Sequence, residues 1–213
     1  MAGPEITSAR RRPGLRPDKR QAILAGALAV FARDGYTRAS IDAIAAEARV
    51  SSRTIYKHFT DKAALFHTLI VESATRVAEA QIAIIDRHLR KVTDLEADLI
   101  EFGLAWATPI PGHAEHFALV RQINAESGHI PQDAVEAWQQ AGPLRVRTEL
   151  ARHLEKLANH GLLRIADPDR AALHLTLLVS VANPSLTAIV PAAEEITTTV
   201  TTGVRAFLHG YLP

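Results

Sequence analysis

Cysteine is absent from the 213 residues, which excludes disulfides and thiolate metal sites. Methionine occurs once and aromatic residues make up only 5 %, so any core must be built largely from aliphatic side chains. Abundant Ala and Leu suit helices for that purpose. The first twenty residues are hydrophilic and basic, so no apolar leader segment is expected. The most apolar stretch, AALHLTLLVSVANPSLTAIV, is interrupted by His174, Asn183 and Pro184, and is not expected to span a membrane. There is no Gly-rich phosphate loop and no nucleophile-elbow pattern. What remains is the expectation of a cytoplasmic, all-α protein in which a small domain is joined to a larger one.

The charge is unevenly spread. Residues 1–66 carry twelve Lys/Arg against six Asp/Glu, whereas 67–213 carry twelve against seventeen. A basic first third on an acidic remainder points to a polyanion bound at one end. Residues 1–17 hold four Arg, three Pro and two Gly without hydrophobic periodicity, which predicts a disordered basic arm. Its Arg10-Arg11-Arg12 run is expected mainly to add non-specific attraction to that polyanion.

From Asp18 the pattern becomes helical. Ile23, Leu24, Ala27, Leu28 and Phe31 form one stripe, which Gly35 ends. Ser40 is placed to cap a second short helix, whose Ile41, Ile44 and Ala45 face inward. A third helix is expected over about 52–59, and Asp61 caps a long fourth helix reaching about Arg90. Three helices in about 45 residues, the last two joined by a tight turn, predict a helix-turn-helix over 18–66. At 100° per residue, Ile55 and Phe59 share the buried edge of the third helix. Arg53 and Lys57 lie opposite, flanked by Thr54 and Tyr56, with Ser51, Ser52 and His58 at the margins. A face with two cations, hydroxyls and a phenol but no carboxylate suits DNA better than it suits bulk water.

Downstream, Pro, Gly and Asp punctuation separates helices near 93–107, 113–127, 131–160, 168–183 and 192–209, with Pro143 expected to kink or split the third of these. The 168–183 segment carries Leu173, Leu175, Leu177, Leu178, Val179 and Val181 around its circumference. An all-round apolar helix needs cover on every side, so a second protomer is expected over this helix and 192–209. Phe102, Trp106, Phe117 and Trp138 gather between 93 and 160, with Arg121, His174 and Asn183 as polar groups among apolar neighbours. This pattern fits a ligand pocket and an ordinary core equally well.

The block ILAGALAVFARDGYTRASIDAIAAEARVSSRTIYKHFTDKAALF resembles the DNA-binding domain of TetR-type transcriptional regulators over about 19–66. The likeness rests on Phe31, Gly35-Tyr36, Ser40, Ile44-Ala45, Thr54-Ile55-Tyr56, Phe59 and the DKAAL that opens the fourth helix. Arg49 departs from it, standing where a turn glycine is common, and Arg53 stands where a small residue is frequent. LEKLANHGLLRIADPDRAALHLTLLV and the closing FLHGYLP look like the C-terminal half of the AefR-like subgroup.

The resemblance implies a dimer on a palindromic operator and a small-molecule effector enclosed by residues 67–213. It makes Phe102, Trp106, Phe117, Arg121, Trp138 and His174 the expected ligand contacts. On the DNA side, Arg53 reads guanine and Thr54 a thymine methyl or a phosphate. Ser40, Tyr56 and Lys57 hold phosphates, Arg38 and His58 supply secondary phosphate contacts, and Lys62 adds positive charge at the start of the fourth helix. No cofactor and no metal is expected. His113/His116 and Glu149/His153 have metal-compatible spacings, but no paired Glu-x-x-His motif occurs. They read as scattered surface histidines, against a metal-dependent enzyme. A ligand-independent architectural DNA-binding protein would not need the 147 residues beyond 66.

Overall fold

The computed structural model describes residues 18–126, 128–180, 183–189 and 191–213, and these contain helices, turns and connecting segments but no strand. The basic arm lies outside the described residues, as do Val181 and Ala182 of the expected apolar helix. The order is α1 (Lys19–Arg38), α2 (Ile41–Glu47), α3 (Ser52–Tyr56), α4 (Lys62–Leu89), α5 (Leu95–Ala107), α6 (Ala114–Ala125), α7 (Gln132–Gln139), α8 (Arg145–Asn159), α9 (Pro168–Leu178) and α10 (Ala193–Tyr211).

Side-chain caps set most of the starts. Asp18, Ser40, Ser51, Asp61, Asp94 and Asp167 each accept a backbone N–H from the first turn of α1, α2, α3, α4, α5 and α9 respectively. Each such bond is worth about 1 kcal/mol. Pro143 falls inside a π-helical turn, Gln140–Leu144, between α7 and α8. The ring removes one donor and widens the turn, as its place in the sequence suggested. Helix α9 stops at Leu178 rather than running to 183. Pro184 follows in a separate turn in which Asn183 O accepts from Leu186 and Thr187, and a residue before proline is driven out of the α region.

Two clusters make the core. One joins α1, α2, α3 and the first half of α4 through Phe31, Ile44, Ile55, Phe59, Phe66 and Leu69, and it includes Leu119 and Ile123 of α6 with Ala134 of α7. The other joins the second half of α4 to α5, α8, α9 and α10 through Ile85, Phe102, Leu150, Leu154, Leu175 and Phe207. Helix α4 therefore runs through both. The boundary expected at 66 falls inside α4 and inside the first cluster, which continues through Leu69 to α6 packed along α1.

The same C-terminal motif closes α2 and α8. In α8, Gly161 at φ 75° donates to Ala158 O, and Leu162 donates to Leu157 O. In α2, Arg49 at φ 54° donates to Ala46 O, and Val50 donates to Ala45 O. Both are Schellman caps, whose left-handed position favours glycine. Arg49 occupies it with a Cβ, at a steric cost of about 1–2 kcal/mol, part of which glycine would give back in chain entropy. Arg49→Gly is therefore expected to raise stability by about 0.5–1 kcal/mol, read as a higher urea midpoint with unchanged slope.

Candidate DNA interface and effector cavity

Helix α3 is one and a half turns long, and its seating explains why so short a helix holds its orientation. Ile55 is fully buried and Phe59 nearly so. Ser51 Oγ accepts from the Thr54 N–H at 3.2 Å and lies 2.9 Å from Thr54 Oγ1. Ser52 Oγ donates to Asp42 Oδ1 at 2.6 Å, pinning α3 to α2. The helix ends earlier than expected: Lys57 is its C-cap, and His58 and Phe59 both donate to Ile55 O in a tight closing turn. Arg53, Tyr56, Lys57 and His58 all stand exposed, and Tyr56 is 56 % accessible. Among the described residues, the carboxylates in ion pairs near this domain are taken by Arg20 and Arg33, not by Arg38, Arg53 or Lys57.

Besides Ser51, three further expected contacts have other employment. Lys62 Nζ donates to Tyr36 O at 2.9 Å and Ala39 O at 3.1 Å, and stands 4.6 Å from the Tyr36 ring centroid. It thus ties the end of α1 to the start of α4, where its charge was expected to serve DNA. Ser52 has committed its proton to Asp42. Ser40 Oγ accepts from the Ala43 N–H, leaving its own proton free. A lysine at a helix start that meets two free carbonyls satisfies groups water would otherwise have to reach; nothing in the local sequence marks that geometry.

The larger half holds a cavity of about 750 Å³ between α4, α5, α6, α7, α8, α9, the segment 183–189 and Pro191. Of the expected ligand contacts, Trp106, Phe117, Arg121 and Trp138 line it. Phe102 does not: it is fully buried in the second core cluster, where its ring lies 5.6 Å from Trp106. His174 does not either. It is exposed on α9, with Nδ1 2.8 Å from the Tyr211 hydroxyl, because its helical register faces α10 rather than α6.

Helix α6 carries connections that the sequence did not reveal. His116 lines the cavity, is 6 % exposed, and places Nδ1 2.9 Å from Ser73 Oγ. Burial, with His113 and Arg76 nearby, pushes its pKa down to about 4, so it is neutral near pH 7. Arg121 Nη1 donates to Pro184 O at 2.6 Å, and Asn124 Nδ2 donates to Ser185 O at 2.9 Å. These bonds hold the 183–189 segment over the cavity. At the far end of the same helix, Glu126 Oε2 accepts from Thr37 N at 2.9 Å and Thr37 Oγ1 at 3.1 Å. Gly35, at φ 79°, lets that carboxylate approach, since a Cβ there would collide with it. Cavity wall, covering segment and DNA-side turn are thus linked through one helix. An exposed-looking Glu after a helix gives no sign of such a long-range partner.

Two histidines expected on the surface are buried. Besides His116, His153 is 2 % exposed, with Nδ1 3.2 Å from Leu89 O and Nε2 2.9 Å from Asp86 Oδ1. Donor atoms of Asp86, Glu149 and His153 lie within 4.8 Å of one another. The Arg152 guanidinium donates to Glu149 and lies 3.3 Å from His153 Nε2, so the group reads as a polar strut between α4 and α8.

Known proteins place this arrangement. The family profile for bacterial regulatory proteins of the tetR family matches residues 23–69, and that for the AefR-like transcriptional repressor C-terminal domain matches 97–213, over half the chain. The chain belongs to the TetR family. Among solved structures, one described as a TetR-family transcriptional regulator from Mesorhizobium loti is 28 % identical, with a TM-score of 0.78 over 92 % of this chain and 97 % of its own. The flavonoid-responsive regulator FrrA is 29 % identical, with a TM-score of 0.64 over 92 % and 97 %. A TetR-family regulator from Pseudomonas syringae is 26 % identical, with a TM-score of 0.70 over 92 % and 98 %. No curated protein matches the chain. As a member of this family the protein is a DNA-binding transcriptional regulator, and no helix among the described residues is long and apolar enough to cross a membrane.

Proposed function

We propose that this TetR-family protein is a cytoplasmic, ligand-responsive repressor that binds a palindromic operator as a homodimer. The observation that carries the proposal is the double attachment of α6, whose middle walls the cavity while its end holds Thr37 beside the DNA-binding helices. A ligand that binds two settings of α6 and α4 unequally changes the separation of paired recognition helices, which must match major grooves about 34 Å apart. Coupling of about 1–3 kcal/mol is enough for a 5- to 150-fold change in operator affinity.

Support for the dimer comes from α9. Leu173 and Leu178 are each 38 % exposed and Leu177 is 63 % exposed, an apolar face beside α10 that a second copy would cover. Leu173 and Leu177 also belong to the cavity wall, so a partner seated there would help close its mouth. The AefR-like match favours repression over activation.

On the DNA side, Arg53 is assigned to a base edge and Thr54, Tyr56, Lys57, Arg38, Ser40 and His58 to phosphates or thymine methyls. Genomic fragments selected by the purified protein should contain an inverted repeat. Flavonoids, suggested by the FrrA likeness, are the first compounds to titrate into that complex. A compound that binds the protein should lower operator affinity at least fivefold. If no bound compound changes it, the regulatory part of the proposal fails.

A further inference from the structure

We infer that the cavity selects its ligand by charge, admitting planar aromatic molecules that are neutral or anionic and rejecting cationic ones of the same shape. This rests on reading the cavity as the effector site. Among the described residues lining it there is no Asp and no Glu, whereas Arg121 and Arg147 both reach it. A cation entering such a space exchanges water for apolar walls with no carboxylate to replace its hydration. An anion or a phenol meets donors instead.

Among the described residues Arg121 is bound to the Pro184 carbonyl alone, and that neutral partner yields readily to a charged oxygen. Among the described residues Arg147 has one distant partner, Asp169, at 3.8 Å with both side chains well exposed. His116 contributes no positive charge of its own near neutral pH. With Nδ1 engaged by Ser73, it offers Nε2 as a neutral hydrogen-bonding group for a hydroxyl.

The shape follows from Trp106, Phe117 and Trp138, which give the space three flat apolar surfaces. Aromatic faces alone also attract cations. Here two guanidiniums already line the cavity, and like charges at close range oppose a third. A carboxylate or phenolate can instead pair with an arginine fork while its ring lies on a tryptophan.

The test uses a matched series, 1-pyrenebutyrate, 1-pyrenebutanol and 1-pyrenebutylammonium, which share ring and four-carbon chain and differ at the anionic, neutral or cationic head group. The chain has two tryptophans, and both line the cavity, so energy transfer from Trp to pyrene reports occupancy directly. The carboxylate and the alcohol should bind, the carboxylate at least tenfold more tightly than the ammonium. Arg147→Gln should shrink the advantage of carboxylate over alcohol. Gln81→Glu, which places an isosteric acid on the wall, should bring ammonium binding up severalfold. Equal affinity for carboxylate and ammonium, or energy transfer with none of the three, overturns the inference. Operator release, measured on the same samples, separates this from the regulatory reading. Carboxylate binding without release refutes the reading and leaves the charge rule standing. Release by the ammonium at the carboxylate's concentration refutes the charge rule and leaves the reading standing.

Discussion

Arg53→Ala should relax the preference for one base pair in each half-site, reducing discrimination there by about 1–3 kcal/mol while leaving affinity for unrelated DNA nearly unchanged. The side chain is exposed in the middle of α3, and among the described residues no carboxylate pairs with it. Its removal should not disturb the helix, since Ile55 and Phe59 seat α3 and Ser51 caps it. Lys57→Ala should behave differently. Lys57 lies at the C-cap, one turn further from the end of α3 that approaches base edges. Its loss should weaken all sequences alike and lower the slope of log K against log salt by about one. Binding to a panel of single-substitution operators, at several salt concentrations, distinguishes the two. Uniform loss in both variants would refute this division of roles.

Leu177→Asp should abolish operator binding at concentrations that saturate the parent protein, because it should leave the chain monomeric. The side chain is 63 % exposed on α9 and flanked by Leu173 and Leu178. In a two-fold interface each substitution occurs twice. Losing one buried Leu costs about 1.5–3 kcal/mol, and an unpaired carboxylate pressed into an apolar contact adds to that loss in each copy. A monomer keeps one recognition helix and loses the second half-site. Sedimentation should show a single-chain mass, and thermal unfolding of the monomer should stay cooperative. A variant that remains dimeric and still binds its operator would show that the contact between copies lies elsewhere.

The DNA-binding half was largely legible in the sequence because its signals are local. A cap lies within three residues of the N–H it receives, and a buried stripe recurs every three or four residues. Ser40 and Asp61 therefore cap where their positions suggested, and Ile55 and Phe59 are buried. Arg49 was recognisable as a residue in a glycine position, and its φ of 54° agrees. The misplacements have one cause. Lys62, Ser52 and His174 have the residue types that bind ligands, but their partners come from 10 to 37 residues away, and Phe102 packs into a cluster built from several other helices. Spacing along one helix says which face a side chain shares, not which element covers that face.

The sequence by itself determined the class of helices, their starts, the cation-rich third helix and the family, because each depends on short-range periodicity and caps. Only the tertiary structure decided which aromatics face empty space, that His116 and His153 are buried, that Lys62 bonds inward, and that α6 joins the cavity to Thr37. Those facts depend on the packing of elements distant in the chain, where one helical register or one degree of burial turns a ligand contact into core.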